Sequence, residues 1–95
     1  MTTITAYCAC ALCCGPNAAG LTASGDRPVQ GITVAASRSI PLGTHIQLTI
    51  PGLWKSREFV VQDRLAKRYD DRVDVYFTRH ADAVRFGKRK GVVTR

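Results

Sequence analysis

The chain has 95 residues and a formal net charge of +7, from 14 Lys and Arg against 7 acids, with 45% hydrophobic residues. That length holds one domain, spanning 1–95, and excludes a second, while the near-average balance of apolar and charged residues excludes disorder and a fibrous architecture. No apolar run approaches the ~20 residues of a membrane-spanning helix, and the opening MTTITAYCACALCCG lacks the basic start, long apolar stretch and cleavage site expected of a signal peptide.

In chain order, short β-branched and apolar segments recur between turn residues, the pattern of an all-β barrel or sandwich. Ile4 to Cys8 is the first strand. Ala9 to Gly31 is rich in small residues and poorly patterned, which predicts a wrapping loop with a short strand near Leu21 to Ser24. Ile32 to Ala36 is the next strand, before Ser37-Arg38-Ser39. His45 to Ile50 alternates, placing Ile46, Leu48 and Ile50 on one face, and Pro51-Gly52 ends it. Glu58 to Gln62 is a fourth strand, and Val73 to Phe77 a fifth with Val73, Val75 and Phe77 inward and Asp74 and Tyr76 on the opposite face. Arg79 to Phe86 reads as a short helix with Thr78 as N-cap and Gly87 as a left-handed stop. Val92 to Thr94 closes the sheet.

Ten basic residues, from Arg64 to Arg95, fall within the last 32 residues. Such a face attracts polyanions: nucleic acid, teichoic acids or the carboxylate-bearing peptides of a cell wall. Nucleic acid is disfavoured, because the chain carries no helix-turn-helix signal, no zinc-finger spacing and no aromatics interleaved with the basic residues.

Four acids, Asp63, Asp70, Asp71 and Asp74, crowd into twelve residues. Asp70 and Asp71 read as solvated turn residues. Asp74 stands mid-strand between two valines, where strand propensity disfavours Asp and full solvation is not expected. It is either the partner of an arginine in an ion pair or a functional carboxylate, since local rules broken without structural gain tend to mark function.

The ordered combination of Thr22-Ala23-Ser24-Gly25, Ile32-Thr33-Val34-Ala35-Ala36, Ile40-Pro41-Leu42-Gly43-Thr44, Val60-Val61-Gln62-Asp63, Val73-Asp74-Val75-Tyr76-Phe77, Ala83 and Phe86-Gly87 resembles the three-aspartate (3D) domains, related to the catalytic barrel of membrane-bound lytic transglycosylase A. The resemblance implies a six-stranded double-psi β-barrel whose groove acts on peptidoglycan glycan strands at the cell wall or in the periplasm; the chain itself is expected to be a monomer. It also implies an acid that breaks the bond between MurNAc and GlcNAc by closing an anhydro ring, with neither metal nor cofactor. Asp74 takes the position of that acid, and Asp63 that of its electrostatic neighbour or a sugar-orienting acceptor. The family's first aspartate aligns with Ala36, and its glycine-rich stretch is replaced by Arg64-Leu65-Ala66-Lys67-Arg68-Tyr69. These departures favour the alternative of a non-catalytic glycan-binding barrel, as in expansin-like relatives.

Thr22 is either a hydrogen-bond donor in that groove or an ordinary strand threonine. Trp54 and Tyr76 are candidates for packing on sugar rings, although Trp54, just after a turn, equally suits the cover of a barrel end. Cys8, Cys10, Cys13 and Cys14 hold every cysteine in the chain within seven residues. One or two disulfides stapling the first strand to its loop are expected first, then buried thiols, then a metal site. His80 and His45 read as surface and structural histidines.

Overall fold

A computed structural model of the chain describes residues 2–8, 22–25, 27–37, 39–65 and 72–95. Among them, β1 (Thr2–Tyr7), β2 (Thr33–Ala36), β3 (His45–Ile50), β4 (Trp54–Arg64), β5 (Arg72–Tyr76) and β6 (Arg89–Thr94) form a barrel, with helix α1 (His80–Phe86) between β5 and β6. The barrel closes in the order β1-β5-β2-β4-β3-β6. β1 with β5 and β2 with β4 are parallel pairs, and the remaining pairings are antiparallel. Parallel neighbours cannot be joined by a tight turn, so the chain must cross over between them, and β3 serves as the crossover between β2 and β4.

The alternation in β3 does what it predicts. Ile46, Leu48 and Ile50 are buried and face inward, beside Phe59 and Val61 of β4. The strand ends where Leu53 N donates to Ile50 O at 3.0 Å, with Pro51 and Gly52 between them and Gly52 at φ +82°, the arrangement a type II turn requires. Ile4 of β1, Val34 and Ala36 of β2, Val73 and Val75 of β5 and Phe86 of α1 complete the core. Each large apolar side chain buried there contributes about 1.5–3 kcal/mol relative to exposure. β6 closes the barrel by close approach: a Cβ on Gly91 would stand 2.5 Å from Thr49 O and 2.6 Å from Ile4 Cδ1, so only glycine lets this strand lie between β1 and β3.

Several expectations are corrected. β4 begins at Trp54 rather than Glu58, because the hairpin with β3 keeps pairing back to Ile50. β6 begins at Arg89 rather than Val92, where Arg89 and Lys90 pair with Ile4 and Thr3. Thr22 to Ser24 is a turn and not a strand, held on β4 by Ser24 N donating to Gln62 O at 3.1 Å; Leu21 lies outside the described residues. The helix cap is Arg79 rather than Thr78, with no side-chain cap, and the Thr78 N–H donates to Gln30 Oε1 at 2.8 Å. Gly87 has the positive φ of a stop, 68°, but ψ of −136° puts it outside the left-handed helical region.

A candidate acid pair on one wall of the barrel

Val34 pairs with Val61 on one side and with Val75 on the other, all three face the core, and the next residues along should all face outward together. Strict alternation, however, would pair Ala35 with Gln62 and turn Asp63 inward. A register shift between Val34 and Ala35 adds one residue to β4, so Ala35 pairs with Asp63. Re-aiming a side chain is what a β-bulge does. On its other side Ala35 pairs with Asp74, and Asp74 pairs in turn with Thr5 of β1. Asp63 and Asp74 therefore flank one small residue on the same face, with Cα atoms about two strand spacings, or ~9.5 Å, apart. The register thus sets the two acids on one face.

Their surroundings differ. Three donors converge on Asp63: Ala23 N at 3.0 Å, Arg64 N at 2.9 Å and the Tyr7 hydroxyl at 3.3 Å. Asp74 accepts from the Thr5 hydroxyl and is largely withdrawn from water. That burial pushes the Asp74 carboxyl up from 3.8 to about 6; Arg72 nearby opposes the shift, and the negative charge of Asp63 adds to it. Asp74 thus exchanges a proton near neutrality, the range in which a side chain acts as general acid and then as base.

The remaining candidates are distributed differently. Thr22 is buried and its hydroxyl lies 2.8 Å from the Ser24 hydroxyl; the turn reaches Asp63 through the backbone N–H of Ala23 instead. Tyr76 is only 8% exposed and meets Tyr7 edge to face at 5.5 Å, so it supports the wall rather than offering an open ring. Trp54 lies nine residues from Asp63 on β4, about 30 Å of extended strand. It tilts against Phe59 and Phe86 and covers that end of the barrel, as its position after a turn allowed.

Cys8 is a buried thiol whose Sγ lies 3.6 Å from His80 Nδ1, which replaces both the expected disulfide at Cys8 and the expected surface position of His80. Cys10, Cys13 and Cys14, with Asp70 and Asp71, lie outside the described residues. No group of three or more His, Cys, Asp or Glu poised for a metal occurs among the described residues. No described helix is long and apolar enough to cross a membrane. His45 pairs with Glu58 at 3.2 Å on the exposed face of β3 and β4.

Sequence reasoning missed Thr5, Tyr7, Arg72 and the Ala23 N–H. Thr5 and Tyr7 do alternate with the apolar Ile4 and Ala6, but only the parallel register of β1 on β5 brings them beside Asp74 and Tyr76. No protein-family description matches the chain, and no curated protein matches it.

Proposed function

We propose that the chain is a peptidoglycan lytic transglycosylase with Asp74 as its acid, on a barrel of double-psi type. The observation that carries the reading is the half-buried Asp74 carboxyl, raised to about 6, on the same outward face as Asp63. The resemblance of the motifs around both acids to the 3D domains supports the substrate class, and two parallel strand pairs set among antiparallel ones are consistent with the barrel type.

The chemistry needs one proton carrier. The Asp74 carboxylic acid gives its proton to the oxygen linking MurNAc to GlcNAc, and the bond from C1 of MurNAc to that oxygen breaks. The Asp74 carboxylate then takes the proton of the same sugar's 6-hydroxyl as its oxygen bonds to C1. The anhydro ring closes, the leaving sugar departs with its hydroxyl, and Asp74 is protonated again, so no water is consumed. Asp63, fixed by three donors, supplies the negative charge that favours the protonated form of Asp74. Ala36, which takes the place of the family's first aspartate, is a fully buried core methyl, so the proposed site works with two carboxylates.

Digestion of purified peptidoglycan, with the products weighed by mass spectrometry, tests this: anhydro-MurNAc ends are expected, and soluble fragments with reducing MurNAc ends, or none at any pH, would overturn it. A non-catalytic glycan-binding barrel is the second reading. It is favoured by recesses of about 590, 340 and 140 Å³ that all involve Trp54 and none of which is lined by either acid.

A further inference from the structure

One end of the barrel carries a shelf of aromatic rings with arginines laid on them. Trp54 packs at 5.6 Å against both Phe59 and Phe86, and Phe86 meets Phe77 at 5.4 Å. The Arg57 guanidinium lies 4.8 Å from the Trp54 ring centre, and that of Arg89 5.2 Å from Phe86. Arg57 is two residues from the inward-facing Phe59, so β4 runs past the end of the core and delivers its charge onto the rings. Two recesses, of about 340 and 140 Å³, share Gln30, Trp54, Arg57 and Phe77, and the smaller reaches Tyr76, two residues along β5 from Asp74.

The charge of this shelf is one-sided. Arg57, Arg85 and Arg89 face a single acid, Asp82, which Arg85 engages at 3.7 Å. Among the described residues neither Arg57 nor Arg89 is paired with a carboxylate. Arg89 uses Nε on Phe86 O at 3.0 Å, and its terminal nitrogens bond nothing else among the described residues. A guanidinium resting on a ring is desolvated on one face and keeps its in-plane N–H groups for a ligand; that planar fork matches a carboxylate, while the rings beside it suit small apolar side chains.

Distance selects the occupant. Arg57 precedes Asp63 by six residues on β4, about 20 Å of strand. A peptide of four or five residues, fully extended, spans about 13–18 Å. We propose that the shelf binds the carboxylates of the short peptide stems that hang from the glycan strand while that strand lies across Asp63 and Asp74; the inference rests on the glycan reading of the acid pair.

Binding, measured by calorimetry, separates the two. The full chain carrying Asp74→Asn is titrated with peptidoglycan fragments bearing their stems, with the same glycan chains stripped of stems by an amidase, with the free stem peptide and with wall teichoic acid. Arg57→Gln and Arg89→Gln in that background are each expected to weaken stem-bearing fragments by about 10-fold or more, and to leave stripped glycan unchanged. Arg95→Gln removes the same charge elsewhere and is expected to change neither. Arg57→Lys and Arg89→Lys keep charge and stem packing but lose the fork, so they should recover only part of the affinity if each variant's melting curve matches the parent's. Equal losses for stripped glycan, an equal loss in Arg95→Gln, or an arginine-dependent preference for teichoic phosphate would overturn the proposal. Arginine-dependent binding of the free stem peptide with no binding of stripped glycan would keep the shelf and remove the glycan reading of the acids.

Discussion

The two walls of the barrel treat their outer faces differently. On the wall of β3 and β4, the residues between the core positions are polar and wet: His45 pairs with Glu58 at 3.2 Å, and Ser56 donates to Gln47 at 3.3 Å, both exposed. On the wall of β1, β5 and β2, joined by the far end of β4, the same outward positions hold Thr5, Tyr7, Asp74, Ala35 and Asp63, and the Thr22–Gly25 turn is tied to Asp63 by the Ala23 N–H. Glu58 on the first wall is exposed to water. Asp74 on the second is moved to about 6 because it is partly withdrawn from water. What makes a carboxylate chemically useful here is its burial and not the strand that bears it.

The sharpest way to break that comparison is to remove one acid from each wall. Asp74→Asn keeps size and the acceptor for the Thr5 hydroxyl but removes the titrating proton, so peptidoglycan cleavage should fall by at least ~10²- to 10⁴-fold, the typical worth of general acid–base help. Glu58→Gln should leave the rate within about 2-fold, since an exposed pair contributes little. Release of labelled fragments, followed over time, checks both. Normal cleavage by Asp74→Asn ends the catalytic reading and leaves the glycan-binding barrel.

Stability offers a second contrast that does not depend on activity. With its pKa raised from 3.8 to about 6, the folded chain holds the Asp74 proton at pH values where the unfolded chain has released it. Stability from this group is therefore present below about pH 4 and is lost as pH rises through about 6. The full loss is at most about 3 kcal/mol, less because Asp74 retains some contact with water. Asp74→Asn should accordingly match the parent at pH 4 and exceed it at pH 8 in urea unfolding. A difference that does not grow between those pH values would show that burial is not what shifts this carboxyl.

Legibility in the sequence follows the same division. β3 was readable end to end because one of its faces is wet and the other dry, so polarity alternates with the pleat. The first half of β4 was not: Lys55, Ser56 and Arg57 are all exposed, and hairpin pairing rather than burial makes them strand. Arg89-Lys90-Gly91 fell outside the predicted last strand, Val92 to Thr94, because two charges and a glycine show no strand pattern, while Gly91, a strand breaker by propensity, is required by the close approach of Thr49 and Ile4. Asp74 was visible as an acid among valines. The orientation of Asp63 was not, since counting by twos from Phe59 and Val61 turns it inward and only the bulge opposite Ala35 turns it out. The Cys8–His80 contact joins residues at opposite ends of the chain and leaves no local signal.

The smallest effects sharpen the comparison most, because they carry opposite signs. Arg72 lowers the Asp74 pKa and Asp63 raises it, with Arg72 the stronger of the two. If protonated Asp74 is the working form, the rate should decline as pH rises past about 6. Arg72→Gln removes a positive charge that favours the ionised form, so that decline should move to higher pH. Asp63→Asn removes a negative charge that favours the protonated form, so the decline should move to lower pH, and by less. Each shift should be below about one pH unit, and salt should shrink both, since water reaches part of the site. Asp63→Asn should also lower the maximal rate modestly, because Tyr7 and the Ala23 N–H lose a charged acceptor that holds the turn against β4. Cleavage rates across pH 4 to 8 at low and high salt decide the matter. Shifts of the same sign in both variants would mean that they act through the shape of the wall, and the paired-charge account of Asp63 and Arg72 would have to be given up.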